Sequence, residues 1–317
     1  KLGGLKTLVL DDADRMLDMG FYEAMTDIIA HTPKTRQTLL FSATYPESVK
    51  RMCRSIQRNP VTVIVDSEHK PGVIEQLFYQ VKKHERNNTL LALFEHYQPD
   101  NALVFCHTKK QCDEVAAFLR EQRIEALAIH GDLDQRRRDQ VLVRFANHSC
   151  SVLVATDVAA RGLDIKSLQV VINYELPRDP EIYVHRIGRT GRAGKKGIAL
   201  SIFTESEQVR VKAIEQFQKK PCICDVSESL DRHPGFTLQS PMVTIQIDAG
   251  RKNKIRPGDL LGALTGDAGL SGSRIGKIDI FDLSSYVAVE RGVVRKALNY
   301  LVNGKVKGRS IRARKIS

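Results

Sequence analysis

No stretch of about 18 apolar residues occurs in this chain, which excludes a membrane-spanning helix, and no apolar leader opens it. Cysteine is sparse and poorly spaced for holding a metal. The six cysteines, at 53, 106, 112, 150, 222 and 224, include no C-x-x-C pair. The close pair Cys222-x-Cys224 has neither a second pair nor a histidine beside it. A zinc site or disulfide framework is therefore not expected, and a reducing, cytoplasmic setting fits. There is no internal repeat and no low-complexity tract. Nor is there a G-x-x-x-x-G-K-[ST] phosphate loop, since Gly3-Gly4-Leu5-Lys6-Thr7 lacks its spacing. The chain begins with Lys1 rather than Met, a few residues before an apolar run, and is expected to be part of a longer protein.

What is present describes a globular chain: 317 residues, 42% hydrophobic and 27% charged, enough for two or three domains. The charge is uneven. Residues 242–317 hold 15 Lys and Arg against 6 Asp and Glu, a net +9, and the rest carries +3 of the total +12. A basic terminal module is the electrostatic footprint of nucleic-acid binding; the plainer reading is a merely soluble surface.

Short apolar runs alternate with amphipathic stretches. Leu5 to Leu10 reads as a strand, Arg15 to Ala30 as a helix, Thr38 to Phe41 and Val61 to Val65 as further strands. Residues 66–72 are a polar Pro-Gly connector. The alternation restarts at Val73, with strands at Ala102–Cys106, Ala126–Ile129, Val152–Ala155, Val170–Asn173 and Ile198–Phe203 and helices at Gln111–Arg120 and Gln135–Phe145. This is the pattern of an α/β fold with a parallel sheet covered on both faces. Residues 226–241 read as a linker. Residues 242–317 then run strand (Met242–Ile247), helix (Pro257–Leu264), strand (Lys277–Phe281), strand (Tyr286–Val289), helix (Val293–Leu301), strand (Ser310–Arg314), a ferredoxin-like order. The expected organisation is 1–65, the C-terminal part of a first α/β domain; 73–225, a complete second one; and 242–317, a small α+β domain.

The residues with chemical potential fall just after strands, where parallel sheets carry their sites. Asp11-Asp12-Ala13-Asp14 follows the first. A carboxylate there can hold Mg²⁺ on nucleotide phosphates and a neighbour can position water, or the acids simply cap a helix. Ser42-Ala43-Thr44 follows another strand and either links sites or caps. The stretch His185-Arg186-Ile187-Gly188-Arg189-Thr190-Gly191-Arg192 packs three arginines and a histidine around two glycines. That spacing suits a turn placing guanidinium forks around a polyphosphate, with a solvated basic turn as the bland alternative.

Together these segments resemble a DEAD-box RNA helicase over nearly all of the chain. Leu10 to Phe21 resembles motif II and its trailer, Ser42-Ala43-Thr44 motif III, and Phe105 to Lys109 motif IV. His130-Gly131-Asp132 with Gln135 to Arg138 resembles the Gly-Asp and Q-x-x-R elements. Thr156 to Asp164 resembles motif V, and His185 to Arg192 motif VI. The segments Val243–Ile247, Arg256–Leu264 and Gly276–Ile280 resemble the RNA-recognition domain of the bacterial DbpA subfamily.

The resemblance implies two RecA-like domains, the first incomplete, closing over ATP and one RNA strand, followed by an RRM-type domain. Asp11 would bind Mg²⁺ through ATP. Asp12 would stand at the water-activating position, and Ser42 and Thr44 would couple hydrolysis to strand separation. Asp164 would touch the ribose, Arg189 and Arg192 would serve as arginine fingers, and His185 would help link the domains. Thr108, Gly131, Gln135, Arg138, Thr156 and Gly162 would follow the RNA backbone. The implied partner is a large-subunit rRNA hairpin within a pre-ribosomal particle, and the expected protein is a cytoplasmic monomer without a membrane partner. Three departures are visible. The phosphate loop and Q motif are missing, so this piece alone is expected to hydrolyse little ATP. Asp12 replaces the family's Glu. In the terminal domain Thr244 and Val289 stand where stacking aromatics are expected. That leaves Tyr286 to stack or merely to pack, and basic residues (Arg251, Lys252, Lys254, Arg274, Lys305, Lys307, Arg309, Arg312, Arg314) to carry RNA binding. A non-catalytic RNA clamp is the alternative, and a DNA helicase a weaker one.

Overall fold

The computed structural model describes residues 2–42, 44–64, 73–160, 168–191 and 196–316, and the chain divides into two units, residues 1–68 and 69–317. In the first unit β1 (Thr7–Leu10) leads into helices α1 (Ala13–Asp18) and α2 (Tyr22–Ala30), then β2 (Gln37–Leu40) and α3 (Glu47–Ile56). The two strands pair in parallel, Leu10 opposite Leu40. Alternation along β1 sends Leu8 and Leu10 into a small core with Met25, Ile29 and Met52. It leaves Val9 54% exposed on the other face. Val61–Ile64, expected as a strand, forms no regular element: Val61, Val63 and Ile64 are 78–89% exposed. A strand needs a neighbour for its backbone N–H and C=O groups, and no described residue pairs with these.

The second unit begins with a seven-stranded sheet. Its elements are β3 (Ile74–Gln80), α4 (Arg86–Tyr97), β4 (Ala102–Phe105), α5 (Lys109–Glu121), β5 (Ala126–Ile129), α6 (Gln135–Ala146), β6 (Val152–Ala155), α7 (Asp157–Ala160), β7 (Val170–Asn173), α8 (Pro180–Ile187), β8 (Gly197–Phe203), α9 (Gln208–Gln218) and β9 (Ile223–Val226). The order is β5-β6-β4-β7-β8-β3-β9, every pair parallel. Val104 and Val154 face a core closed by Leu90, Leu93, Val115 and Leu119 of α4 and α5. Leu103, Phe105 and Leu153 face the opposite core with Phe145 of α6. Burial on both faces explains why these strands read as unbroken apolar runs, each such side chain contributing about 1.5–3 kcal/mol.

The chain then forms a four-stranded antiparallel sheet, in the order β11-β12-β10-β13. The elements are β10 (Met242–Ile247), α10 (Pro257–Gly262) prolonged by a π-helical turn, β11 (Ile275–Ile280), β12 (Ser285–Glu290), α11 (Val294–Asn303) and β13 (Ala313–Lys315). The last strand lies a little later than the Ser310–Arg314 expected from the pattern. Ile245, Ile247, Val287 and Val289 pack one face onto Leu260, Leu264, Ala297 and Leu301.

The other face of this small sheet is buried as well. Thr244, Gln246, Tyr286 and Ala288 are at most 3% exposed. The reason is docking onto the parallel-sheet region of the same unit. Thr244 Oγ1 lies 2.9 Å from Asn147 Nδ2 just beyond α6, Gln140 Nε2 donates to Gln246 Oε1 at 3.0 Å, and Arg291 Nη2 donates to Glu125 Oε1 at 2.7 Å. The connector expected over 226–241 is not loose. It starts as the end of β9, places Leu230 and Leu238 in the larger core, pairs Arg232 with Glu95, and donates Ser240 N–H to Glu125 Oε2 at 2.9 Å. Among the described residues no helix is long and apolar enough to cross a membrane.

Candidate nucleotide and RNA sites

In the first unit the loops after β1 and β2 lie side by side because the two strands pair. Asp11 is exposed and its Oδ1 accepts the Asp12 N–H at 3.0 Å. Asp12 sits in left-handed backbone, φ 51°, at the start of α1. Asp14, given no role by the sequence, is the centre of the local network. It is 3% exposed, and its Oδ2 accepts from Thr44 N at 2.8 Å and Thr44 Oγ1 at 2.7 Å. Ser42 Oγ donates to Thr44 O at 2.6 Å and accepts the Asp14 N–H at 3.2 Å. Burial pushes the Asp14 pKa up, but the hydrogen bonds from Thr44, Arg15 and Ser42 outweigh it and hold the carboxyl below its ordinary value. Thus Ser42 and Thr44 are both tied to Asp14. The only hint in the sequence is that a Ser-x-Thr and a third aspartate each follow a strand. Ala43 lies outside the described residues.

In the second unit the strand ends of β4, β5 and β6, neighbours in the sheet, place the expected backbone-gripping residues along one edge. Thr108 caps α5, accepting Gln111 N–H at 3.1 Å. Gly131 follows β5 and is exposed. Gln135 and Arg138 lie on the first turn of α6, which Asp134 caps by accepting Arg137 N–H at 2.8 Å. Gln135 Nε2 donates to Asp139 at 2.7 Å, and Arg138 Nη2 to Ala159 O at 3.2 Å. Thr156 follows β6 and is 9% exposed. Lys109 pairs with Asp132 across the same edge. Gly162 and Asp164 lie outside the described residues.

The arginine-rich stretch is not one turn. Its first half is the end of α8, which Asp179 caps and Pro180 opens. Arg186, expected to point a fork at a polyphosphate, is 2% exposed and turned into the protein. Its Nε and Nη2 donate to Asp157 at 2.6 and 2.9 Å, its Nη1 to Asn173 Oδ1 at 3.0 Å and Glu175 O at 2.8 Å, and it lies 4.9 Å from the centre of the Phe105 ring. The physical reason is the helix period: Arg186 and Tyr183 share the inward face, while His185 and Arg189 fall on half-buried positions. The turn that follows demands glycine. Gly191 has φ +66°, and a Cβ there would fall 2.5 Å from Ile74 Cγ1. Arg192 lies outside the described residues.

On the small sheet, several expected basic residues converge. Lys307 Nζ reaches Lys254 O at 3.1 Å and Arg309 Nη1 reaches Asn253 O at 3.5 Å. This draws Lys254, Lys307 and Arg309 together on the surface, with Lys252 two residues from Lys254, Lys305 on the same loop and Asp259 paired with Lys307 at 3.5 Å. Arg251 pairs with Asp282 at 3.2 Å and Arg314 with Asp248 at 3.1 Å. Arg312 is exposed next to β13. Arg274 stands apart, paired with Glu290 at 3.3 Å. Tyr286 does not offer the stacking face considered for it. It is 3% exposed, on the docked face beside Gln246, with its ring edge-on to Phe281 at 5.5 Å.

Three regions match known families: residues 1–52 the DEAD/DEAH box helicase domain, residues 82–194 the helicase conserved C-terminal domain, and residues 244–315 the DbpA RNA binding domain. The chain is 48% identical over 320 residues to the ATP-dependent RNA helicase DbpA of Escherichia coli, covering 99% of this chain and 68% of that protein. It is 45% identical over 203 residues to the DEAD-box ATP-dependent RNA helicase RhpA of Helicobacter pylori, covering 64% of this chain and 41% of that protein. It thus spans about two thirds of the first relative and less than half of the second. Among solved structures, S. cerevisiae Dbp5 bound to RNA and ADP BeF3 superposes with a TM-score of 0.66 at 32% identity, over 72% of this chain and 61% of that one. The architecture is accordingly a RecA-like helicase fold joined to a DbpA-type RNA-binding domain, and the chain belongs to the DEAD-box ATP-dependent RNA helicases of the DbpA type.

Proposed function

We propose that the whole protein to which this chain belongs remodels large-subunit (23S) rRNA during ribosome assembly in the cytoplasm, its terminal domain delivering the helicase to a hairpin of that RNA. The observation that carries this reading is the joining, in one unit, of a strand-end edge built from Thr108, Gly131, Arg138 and Thr156 with a basic RNA-binding domain. Short hydroxyl, glycine and arginine groups suit contact with the sugar-phosphate backbone of any sequence, so selectivity must come from the terminal domain. The cluster of Lys252, Lys254, Lys307 and Arg309 is where that domain would take hold of RNA.

Asp11 fits a Mg²⁺ ion brought by nucleotide phosphates: it is an exposed carboxylate at a parallel strand end, with Oδ1 taken by the Asp12 N–H and Oδ2 left over. Bound there, the ion would neutralise phosphate charge. Asp12 would orient water, Asp164 would hold the ribose, and Arg189 and Arg192 would meet the phosphates. His185, on the last turn of α8, would help link the two domains. RNA-stimulated ATPase activity of the full-length protein tests the reading. Stimulation by a 23S fragment carrying the peptidyl-transferase-region hairpin, and far less by a scrambled hairpin, supports it. Turnover at the level of free ATP with tight RNA binding would favour the non-catalytic clamp, to which the Asp12 substitution points.

A further inference from the structure

A cleft of about 450 Å³ opens where the small sheet docks on the parallel sheet. It lies at the N-terminal end of β5, the opposite edge from Thr108, Gly131 and Thr156, so it is separate from the sites above. Four cations line it, Arg120, Arg144, Arg291 and Lys315, against one carboxylate, Glu125. Both oxygens of Glu125 are already used, Oε1 by Arg291 and Oε2 by the Ser240 N–H. Arg120 Nη1 donates to Ala126 O at 3.0 Å.

Arg144 has no such acceptor. Its Nε is buried without a hydrogen bond, and the Glu125 carboxylate acts on its charge only through space. Ser149, beside it in the lining, is 6% exposed and its Oγ is also buried without a partner. A half-buried guanidinium is costly to leave uncompensated, and orphaned buried donors of this kind point to a missing partner. Burial draws the Arg144 pKa down by more than the nearby Cys150 and Glu125, which act the other way, and Arg120 adds to the fall, yet an arginine stays charged at neutral pH. A tetrahedral oxyanion meets this demand: its oxygens match the guanidinium fork and accept from a hydroxyl.

We propose that this cleft binds a backbone phosphate of RNA, with Arg144 as the fork, Lys315 and Arg120 as flanking cations and Ser149 as an added donor. The junction between the two domains is then a further RNA contact, set behind the strand-end edge. The proposal rests on RNA being the partner of this chain. It commits to RNA over a free phosphate because one wall of the cleft, with Thr244, Arg291 and Lys315, belongs to the RNA-binding domain.

The test uses the whole chain and a 23S fragment carrying the hairpin with its flanking strands, with affinity measured across a salt series. Arg144→Gln and Lys315→Gln are each expected to weaken binding about five- to tenfold at low salt and to lower the salt slope by about one. Lys315 is exposed, so its variant folds whatever Arg144 does for the docked interface. An unchanged slope in both Lys315→Gln and a correctly folded Arg144→Gln overturns the proposal. So does protection of the cleft by inorganic phosphate, seen as a rise in melting temperature lost in Arg144→Gln, without any change in RNA slope; the site would then belong to a small anion. Absence of RNA binding by the parent chain would overturn the RNA reading itself, which separates the two failures.

Discussion

Arg186 is bolted to Asp157 by two parallel hydrogen bonds, 2.6 Å from Nε and 2.9 Å from Nη2, with the guanidinium stacked near Phe105. The pair joins the C-terminal end of α8, which carries His185 and leads to Arg189, to the turn after β6, which carries Thr156. One ion pair, with Arg186 buried and Asp157 partly exposed, therefore holds the nucleotide-side and RNA-side candidates of the second unit in fixed relation. Removing one member of such a pair strands the other, at a cost of about 3–5 kcal/mol.

Arg186→Ala is accordingly expected to lower the urea midpoint of the second unit by an amount equivalent to roughly 3–5 kcal/mol at unchanged denaturant slope. Arg137→Ala, exposed on the first turn of α6, is expected to cost under about 1 kcal/mol. Equal losses from the two variants would contradict the inward role assigned to Arg186.

Asp14 links acid stability to the Ser42–Thr44 loop. Its folded pKa lies below the ordinary 3.8, so the stability it contributes is complete above 3.8 and is lost as the pH falls through the folded value. Thr44→Val removes a hydroxyl donor and should raise the Asp14 pKa toward 3.8, lowering the stability of the first unit at neutral pH and shrinking the part of it that acid removes. Carboxyl NMR titration of Asp14 reads this directly, and an unmoved titration contradicts the network.

The left-handed backbone at Asp12 bears on the Asp-for-Glu difference. Aspartate tolerates this conformation better than most residues because its short side chain bonds locally. Asp12→Glu in the full-length protein is expected to raise the ATPase kcat by on the order of tenfold, by extending the carboxylate about 1 Å toward the reacting water. It should cost about 1 kcal/mol of stability. A kcat that stays flat or falls would remove Asp12 from the water-orienting role.

The docked face of the small sheet yields a fourth prediction. Thr244→Val leaves the Asn147 amide short of a partner inside the interface, which should cost about 1–3 kcal/mol. It should also expose β10 to hydrogen exchange. Tyr286→Leu should likewise reduce stability while changing RNA affinity less than about twofold. A large loss of affinity at unchanged stability would return Tyr286 to the stacking role.

Much of this was legible in the sequence because it rests on local period. Leu103 and Phe105 alternate with Ala102 and Val104, so β4 reads as buried on both faces, and it is. The helix read over Gln135–Phe145 is α6, Gln135–Ala146. What escaped was tertiary choice. In β10 the order Val-Thr-Ile-Gln-Ile reads as a half-wet strand, yet Thr244 and Gln246 are satisfied by Asn147 and Gln140, more than a hundred positions away in one case and nearly so in the other. Arg186 looks like its neighbours in an arginine-rich stretch, and only the helix phase shows that it turns inward. Val61–Ile64 carries strand composition without a described partner, and composition alone cannot supply one.

The affinity of the whole chain for the peptidyl-transferase-region hairpin against a scrambled hairpin of equal length, measured at several salt concentrations, tests the ribosomal assignment most directly. The whole chain is needed because the small sheet is docked by Thr244 and Gln246. A preference of about a hundredfold or more that persists at physiological salt is the predicted result. Equal binding of the two hairpins, collapsing together as salt rises, would reduce the terminal domain to an electrostatic anchor and contradict the assignment to ribosomal RNA.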